Sequence, residues 1–303
     1  MKVLLVEPYY SGSHKYWADN FIERSSHEVK IHTMPGRHWK WRMKGSAIYL
    51  ADLLKKDPFV PDLILCSSMM DVAMYKALIF KKGFSPPVFL YMHENQLTYP
   101  FSTMDSRKHE DFHYGFINIG SCIASDKIIF NSRYHRNVFL EAVENLRKRL
   151  PDFNQSYLFD LEQKTTVIYV GIHMEKMKNL ELRENRYHPT LLWNHRWDED
   201  KNPQLFARLC QHLKFNGIDF KMILLGDHGT KVNNTYEEIN INYNQHIIHS
   251  GYASEALYMD LLKQATLLPV TSDHDFYGIS VLEAIYCGAV SYTHLTLPTT
   301  PYV

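Results

Sequence analysis

The chain has 303 residues, and its 33 Lys plus Arg equal its 33 Asp plus Glu, so the formal net charge at pH 7 is zero. This balance excludes histone-like or tail-like nucleic-acid binders, which depend on a large excess of positive charge, although local basic patches remain possible. Hydrophobic residues make up 45% and charged residues 22%, which excludes a disordered or fibrous protein and suits roughly two globular domains.

Short, continuous apolar runs rich in β-branched residues recur along the chain, separated by segments of helical length. Such runs are typical of parallel strands buried on both faces, so the alternation of strand and helix predicts an α/β, doubly wound architecture. In chain order the predicted strands are Val3–Glu7, Leu63–Ser67, Val88–His93, Lys127–Asn131, Thr166–Val170, Thr190–Asn194, Lys221–Gly226, Ile247–Gly251 and Ala265–Thr271.

The pattern predicts two Rossmann-like domains with a boundary near residue 187. Periodicity is weakest over 147–165, and a turn-like, charged stretch follows at 176–189. We therefore assign residues 1–187 to a first domain and residues 188–289 to a second domain, which is expected to be incomplete. Because ligands bind beyond the carboxyl ends of the strands in open α/β sheets, the segments after each strand are the candidate sites.

Residues 290–303 do not fit the pattern. This segment has no charged residue, its Pro- and Thr-rich end cannot continue the helix expected after Glu283, and it resembles the translation of a transposon-type sequencing adaptor. We expect a non-native tail, with the native sequence stopping near Gly288, and leave it out of the fold prediction. The alternative is a natural edge strand and tail.

Cysteine usage and hydropathy predict a cytoplasmic protein. The N-terminus reaches an acid and a proline too soon for a signal peptide, and no run approaches the roughly 18 apolar residues of a membrane span. No CxxC pair is present, and widely spaced cysteines indicate a reducing compartment. The cysteines are Cys66, Cys122, Cys210 and Cys287.

Two polar segments follow predicted strands in the first half. Gly12–His14 follows the first strand, where small residues let a ligand approach the backbone and a helix N-terminus can bind an anion. The alternative is ordinary turn chemistry. His93–Gln96 follows the third strand, and adjacent polar residues there are costly to bury without partners, which favours a site over a loop closed by an Asx turn.

Two short motifs suggest a metal. His109, Glu110 and His113 match HExxH, which on a helix would present two imidazoles and a general base to zinc. The 17 histidines of the chain make a chance match common, and the charged neighbours indicate the solvated start of a helix. Asp198–Asp200 and Asp273–Asp275 match DxD, a motif too short and common for us to assign a metal.

The strongest constellation lies in the second half. Arg196 and Lys201, after a strand and before a helix, have the charge and reach to bracket a diphosphate. Farther on, Asp275 and Glu283 form an acid-x7-acid array, in which Gly278 opens a helix and Glu283 lies about a turn and a half along it. Carboxylates accept hydrogen bonds from the hydroxyls of a sugar nucleotide, whereas its phosphates favour a helix N-terminus.

Residues 37–44 interleave four cations with Trp39 and Trp41. Basic side chains on phosphates and aromatic rings stacked on unpaired bases are how single-stranded RNA is held. A capping loop with inward-packed tryptophans explains the segment equally well.

Several segments together resemble the tRNA-queuosine α-mannosyltransferase family, a group of GT-B glycosyltransferases related to glycosyltransferase family four. They occur in family order between Lys2 and Gly288 and are GSHK, HxWxWR, FLYMHENQLTYP, DFHYG, FNS, NHRWDEDKNP and DFYGISVLEAIYCG. The resemblance implies two Rossmann-like domains facing a cleft. It also implies retaining transfer of mannose from GDP-mannose to the cyclopentene-diol of queuosine at the tRNA wobble position, with no cofactor and no metal.

The resemblance also implies residue roles. Asp275 stands where the family pattern has Glu and reaches one methylene less far, and Glu283 matches the acid that contacts the ribose. The predicted catalytic residues are Arg196, Lys201, Asp275, Glu283 and His93. The predicted donor-binding residues are Arg196, Lys201, Gly251, Tyr252, Gly278 and Glu283. The predicted acceptor-binding residues are Gly12, Ser13, His14, Glu94, Asn95, Trp39, Lys40 and Arg42.

The expected partners are therefore a sugar nucleotide and tRNA carrying queuosine, with no membrane. Three alternatives remain open at this point. The acceptor is a lipid or a glycan, the protein is a zinc hydrolase that uses the HExxH match at 109–113, or it is a non-catalytic module that binds a sugar nucleotide or RNA.

Overall fold

The computed structural model describes residues 1–81, 83–100, 112–151, 160–172, 189–226 and 234–293. The chain divides into two compact units at Val170–Gly171. The domain boundary predicted near residue 187 falls within residues 173–188, outside the described ranges, so that position stays a prediction.

The first unit is built on a six-stranded parallel sheet in the order β2-β1-β3-β4-β5-β6. Its strands are β1 (Lys2–Tyr10), β2 (Glu28–Pro35), β3 (Leu63–Ser67), β4 (Val88–Met92), β5 (Lys127–Phe130) and β6 (Thr165–Val167). The helices of its described part are α1 (Gly12–Arg24), α2 (Trp39–Lys56), α3 (Val72–Ile79), α4 (His113–Ala124), α5 (Arg133–Arg149) and α6 (Leu161–Lys164).

The central strands of this sheet are buried on both faces, as their continuous apolar runs predict. Leu4 and Leu5 point to opposite faces of β1, and both are inaccessible to solvent. By contrast, β2 is an edge strand that the sequence analysis missed, because polar residues interrupt its apolar pattern. Lys30 and His32 of β2 both bind the carboxylate of Asp57, at the end of α2.

The second unit is built on a five-stranded parallel sheet in the order β11-β10-β7-β8-β9. Its strands are β7 (Thr190–Asn194), β8 (Lys221–Leu225), β9 (Ile247–Ser250), β10 (Leu267–Val270) and β11 (Val290–Thr293). The described helices are α7 (Pro203–Phe215), α8 (Asn234–Asn242), α9 (Glu255–Gln264) and α10 (Ile279–Tyr286), with short 3-10 turns at Glu199–Lys201 and Asn244–His246. Within the described residues, no helix has the length and apolar character to cross a membrane.

The start of the segment assigned to a non-native tail is ordered as a strand. β11 pairs in parallel with β10 from Leu267↔Val290 to Val270↔Thr293. The edge-strand alternative therefore describes residues 290–293, whereas residues 294–303 lie outside the described ranges. The origin of the segment stays a prediction.

Each sheet reverses its strand order beside its first strand. β1 lies between β2 and β3, and β7 lies between β8 and β10. At such a switch point the connecting helices leave on opposite faces of the sheet and open a crevice at the carboxyl ends of the strands. The segments after β7 and β10 therefore meet at one crevice, and the end of β1 lies at the other.

The turn after β7 lies close to the end of β8. A Cβ on Gly226, where φ is +99°, would lie 1.9 Å from the carbonyl oxygen of His195. That oxygen already accepts a hydrogen bond from the indole of Trp193 at 2.9 Å. The backbone conformation that leads into Arg196 therefore requires glycine at position 226, because a side chain there would clash with it.

We expect Gly226→Ala to lower the free energy of unfolding by roughly 3 kcal/mol or more, because strain and a backbone clash add. Gly217, with φ of +66° and open space around it, is the matched control. Gly217→Ala is expected to cost roughly 1 kcal/mol from the left-handed conformation alone. Urea denaturation of both variants measures the difference, and equal losses would contradict the close approach.

Candidate active site

The switch point of the second unit brings the Lys201 ammonium group against two carboxylates. Lys201, only 7% exposed, lies 2.8 Å from Asp275 Oδ1 and 3.1 Å from Asp200 Oδ2. It also donates to the carbonyl oxygen of His274 at 3.1 Å. The 3-10 turn after β7 and the loop after β10 are thus joined through one buried cation.

Arg196 extends this network toward solvent. Its guanidinium lies 2.7 Å from Asp198 Oδ2 and 3.9 Å from Asp200 Oδ2, and its side chain is 57% exposed. The two predicted diphosphate-binding cations, Arg196 and Lys201, therefore share the Asp200 carboxylate. The structure places them together with Asp275, which the sequence analysis had grouped with Glu283 instead.

The helix that follows this network is positioned by its cap. Asn202 adopts a left-handed conformation with φ of +51°, and its side-chain oxygen accepts a hydrogen bond from Leu205 N at 3.2 Å. Pro203 occupies the first turn, where its missing N–H costs nothing. Lys201 therefore directly precedes the N-cap residue of α7.

Glu283 belongs to a second cluster in the same unit. Its Oε2 accepts a hydrogen bond from the Tyr258 hydroxyl at 2.6 Å, and Asn194 Nδ2 donates to that hydroxyl at 2.9 Å. Burial raises the pKa of Glu283, and the hydrogen bond from Tyr258 partly opposes that shift. Sequence reasoning missed Asn194 and Tyr258 as site residues, although Asn194 ends a predicted strand, which is the signal that could have found it.

The remaining predicted donor-binding residues are only loosely connected to these clusters. Gly278 has φ of +75° and caps the start of α10. Gly251 follows β9, and Tyr252 is 86% exposed. Within the described ranges, no hydrogen bond or ring contact joins Tyr252 to Lys201 or Glu283, so its donor role stays a prediction.

Two histidines, buried His195 and half-buried His274, flank the Lys201 network and are neutral at pH 7. Burial lowers the pKa of His195 to about 4, and it also lowers the pKa of His274. His195 packs edge-on against Trp193, and His274 against Phe276. The positive charge of the network is therefore confined to Lys201 and Arg196.

In the first unit the structure brings His14 and His93 together around a carboxylate that the sequence analysis did not select. Glu7, on β1, has no solvent exposure. Its Oε2 lies 3.2 Å from His14 Nδ1 and 3.9 Å from His93 Nε2. We call Glu7, His14 and His93 the Glu7 cluster. Glu7 was missed because it lies inside a strand predicted from apolar residues.

The loop after β4 combines the two interpretations offered for His93–Gln96. Asn95 is fully buried, and its Oδ1 accepts hydrogen bonds from Leu97 N at 3.0 Å and Thr98 N at 2.9 Å, which is an Asx turn. Glu94 Oε1 accepts from Gln96 Nε2 at 2.9 Å. Asn95 thus shapes the loop, while His93 projects into the Glu7 cluster.

The segment predicted to bind RNA forms the start of α2. The Trp39 ring lies 5.1 Å from that of Tyr114, with Lys40 Nζ 5.6 Å from the Trp39 ring and Lys44 Nζ 5.4 Å from the Tyr114 ring. Trp41 is 62% exposed. We call these residues, Trp39, Lys40, Trp41, Lys44 and Tyr114, the α2 surface.

Arg42 does not belong to the α2 surface, and its predicted contact with the acceptor stays a prediction. Its side chain is buried, and its guanidinium donates to the carbonyl oxygen of Pro35 at 3.2 and 3.1 Å. Burial lowers the pKa of Arg42. The side chain therefore fastens α2 to the end of β2.

The proposed metal motifs have other partners or lie outside the described residues. Asp198, Asp200 and Asp275 of the DxD matches bind Arg196 or Lys201. Of the HExxH match, only His113 lies in the described part of the chain, where it is the exposed first residue of α4. Among the described residues, the Glu7 cluster is the one group whose three ligand-type atoms lie within 4.8 Å of one another.

Comparisons with known proteins cover almost the whole chain. The family model "tRNA-queuosine alpha-mannosyltransferase N-terminal" matches residues 2–172, and "Glycosyl transferases group 1" matches residues 162–291. A tRNA-queuosine alpha-mannosyltransferase of Drosophila melanogaster is 32% identical over 304 residues, covering 94% of this chain and 77% of the relative.

Solved structures share the fold. The catalytic domain of starch synthase IV from Arabidopsis thaliana, bound to ADP and acarbose, matches with a TM-score of 0.68 and 14% identity, covering 97% of this chain and 82% of that one. Sucrose-phosphate synthase from Thermosynechococcus elongatus matches with a TM-score of 0.66 and 13% identity, covering 97% and 81%. The predicted GT-B fold is confirmed. The family models and the Drosophila melanogaster relative favour a glycosyltransferase over the zinc hydrolase and the non-catalytic module.

We expect Lys201→Met to lower the free energy of unfolding by roughly 3 kcal/mol, because it leaves two carboxylates without their buried cation. Arg196→Met is the matched control and is expected to cost less than roughly 1 kcal/mol, because that ion pair is solvent-exposed. Chemical denaturation at pH 7 measures both. Equal losses would mean that Lys201 does not hold the two loops together.

Proposed function

The chain belongs to the tRNA-queuosine alpha-mannosyltransferase family, and from that premise we propose that it moves mannose from GDP-mannose to the cyclopentene-diol of queuosine at the tRNA wobble position. The chain is a glycosyltransferase, and its family acts on queuosine in tRNA. The donor nucleotide, the retention of configuration and the role of each residue are our proposal.

One observation carries the donor half of this proposal. Lys201 and Arg196 lie at the β7/β10 switch point, where ion pairs with Asp200, Asp198 and Asp275 hold them. The diphosphate of a sugar nucleotide placed at this crevice would meet two cations whose positions are already fixed. Fixed charges of this kind stabilise developing negative charge without the cost of reorganising at the moment of reaction.

In the proposed reaction, the bond between mannose C1 and the diphosphate oxygen breaks and a bond forms between C1 and a queuosine hydroxyl oxygen. The hydroxyl proton passes to an oxygen of the departing diphosphate. Lys201 and Arg196 neutralise the charge that grows on the leaving group, Arg196 as a planar fork and Lys201 as a point charge. No cofactor or bound metal is part of the proposal.

Two carboxylates complete the proposed donor site. We assign Glu283 to the ribose hydroxyls, and its hydrogen bond from Tyr258 fixes the orientation of its carboxylate. We assign Asp275 to the neighbourhood of the transferred sugar, where its ion pair with Lys201 couples sugar and diphosphate binding. His93, His14, Gly12, Ser13, Glu94 and Asn95 form the proposed acceptor side.

The α2 surface is the proposed tRNA contact. Exposed Trp41 and half-buried Trp39 offer faces for unpaired bases, and Lys40 and Lys44 lie beside the rings. The proposed location is the cytoplasm, and its support is that all four cysteines are unpaired thiols.

The test of the proposed function uses radiolabelled GDP-mannose with tRNA from cells that either make or cannot make queuosine. Label that enters only the queuosine-containing tRNA supports donor, acceptor and reaction together. Release of GDP without label in tRNA would keep the donor and overturn the acceptor. Label from another sugar nucleotide in place of GDP-mannose would overturn the donor.

Within the same assay, Arg196→Ala is expected to lower kcat about 100-fold, as for loss of one preorganised transition-state contact. Arg208, exposed on α7, supplies the matched control, and Arg208→Ala should keep normal turnover.

We expect Lys40→Ala to weaken tRNA binding and to reduce the slope of log K against log salt by about one, because one phosphate contact is lost. Lys127→Ala is the matched control, since Lys127 is an exposed lysine at the amino end of β5. Filter binding over a salt series measures both. An unchanged slope for Lys40→Ala would remove the α2 surface from the tRNA contact.

A further inference from the structure

Glu7 is a buried carboxylate to which the proposed reaction assigns no role. Its Oε1 accepts a hydrogen bond from Tyr9 N at 2.8 Å, which fixes the carboxylate at the end of β1. Its Oε2 lies between the two histidines, 3.2 Å from His14 Nδ1 and 3.9 Å from His93 Nε2. A carboxylate without solvent exposure needs a positive partner, because burying an unpaired charge is strongly unfavourable.

Aromatic rings enclose the cluster. The His14 and His93 ring centroids are 4.2 Å apart. Trp17 packs edge-on against His93 at 4.7 Å and stacks on Tyr91 at 4.5 Å. The rings keep bulk water away, so the electrostatic influence of Glu7 on both imidazoles is little screened.

The two imidazoles carry different charges. Burial alone would lower the pKa of His14, but the charge and hydrogen bond of Glu7, with a smaller contribution from Glu94, raise it above the ordinary value. Burial lowers the pKa of His93 well below the ordinary value, and electrostatic repulsion from the neighbouring His14 and His135 lowers it further. His14 is therefore the more readily protonated ring of the pair, and His93 is the neutral ring at pH 7.

The position of Glu7 also decides which nitrogen of each ring remains for a ligand. The His14 Nδ1–H donates to Glu7, which leaves the Nε2–H of His14 as a charged donor. His93 Nε2 lies 3.9 Å from the same carboxylate, too far for a hydrogen bond, and electrostatic attraction favours the proton on Nε2, which leaves Nδ1 as the acceptor.

We propose that Glu7 is a positioning residue that sets His14 as a hydrogen-bond donor and His93 as a hydrogen-bond acceptor for a vicinal diol. A diol presents two adjacent hydroxyls, so one accepts from His14 while the other donates to His93. The inference rests on the proposed function, in which both histidines lie on the acceptor side. It assigns to Glu7 the selection of a diol over a single hydroxyl.

The test compares Glu7→Gln with Asp57→Asn. Asp57 is the matched control because its Oδ2 lies 2.8 Å from Nε2 of His32, another buried histidine of this unit, outside the proposed site. Histidine-labelled NMR follows the titration of His14, identified by the signal lost in His14→Gln. Kinetics follow kcat and KM for queuosine-containing tRNA against pH.

In Glu7→Gln, we expect the His14 titration and the alkaline limb of the kcat profile to move to lower pH by at least about one unit. The sign follows from the loss of the carboxylate, which lets burial lower the pKa of His14. At pH 7.5 kcat should fall about tenfold or more, and Glu7→Asp should recover part of it. Asp57→Asn should leave the His14 titration and the profile unchanged.

An unchanged His14 titration in Glu7→Gln would overturn the proposal. So would an equal loss of kcat in Glu7→Gln and Asp57→Asn without any shift of the profile, since that marks a structural effect. One equivalent of zinc in the wild-type chain that is absent from Glu7→Gln would make the cluster a metal site instead. The NMR titration needs neither donor nor tRNA, so failure of the proposed donor is distinguished from failure of the Glu7 assignment.

Discussion

The buried ammonium group of Lys201 is the constraint on which the site of the second unit depends. A cation that is 7% exposed must be paired, and here Asp200, Asp275 and the His274 carbonyl share it. These groups come from the segments after β7 and β10, which are neighbouring strands, so one ion network fixes both segments. An anionic ligand would then find its cations ordered in advance, and part of the entropy cost of binding would already be met by folding.

At the switch point of the first unit, the buried charged group is an anion rather than a cation. There the buried charge is the Glu7 carboxylate, and a neighbouring imidazole becomes its cation. The second unit therefore holds two cations in place with carboxylates, whereas the first holds two imidazoles with one carboxylate. In each unit the polar groups lie at the carboxyl ends of parallel strands, where they can be desolvated only because they satisfy one another.

Much of the fold follows from the sequence, because continuous apolar runs mark doubly buried strands. The predicted bounds of β3 and β7 coincide with the observed ones, and the position of Lys201 after β7 follows from them. β2 is missed because an edge strand needs only partial burial and carries a mixed pattern. The pairing of Lys201 with Asp275, 74 residues apart, depends on strand order, which a linear pattern does not contain. The burial of Arg42 and the cluster around Glu7 are missed for the same reason, since residue type alone does not reveal a buried partner.

A net charge of zero also constrains how this chain can engage tRNA. Long-range attraction to the phosphate backbone is weak for such a chain, so affinity has to come from contacts at short range. On the α2 surface the lysines lie beside aromatic rings, and Arg42 is turned inward to hold the helix. In the proposed tRNA contact, base stacking on those rings depends little on salt, whereas each lysine adds a salt-dependent increment. A surface that combines stacking rings with a few lysines suits an unpaired anticodon loop better than a duplex, because only unpaired bases can stack on exposed rings.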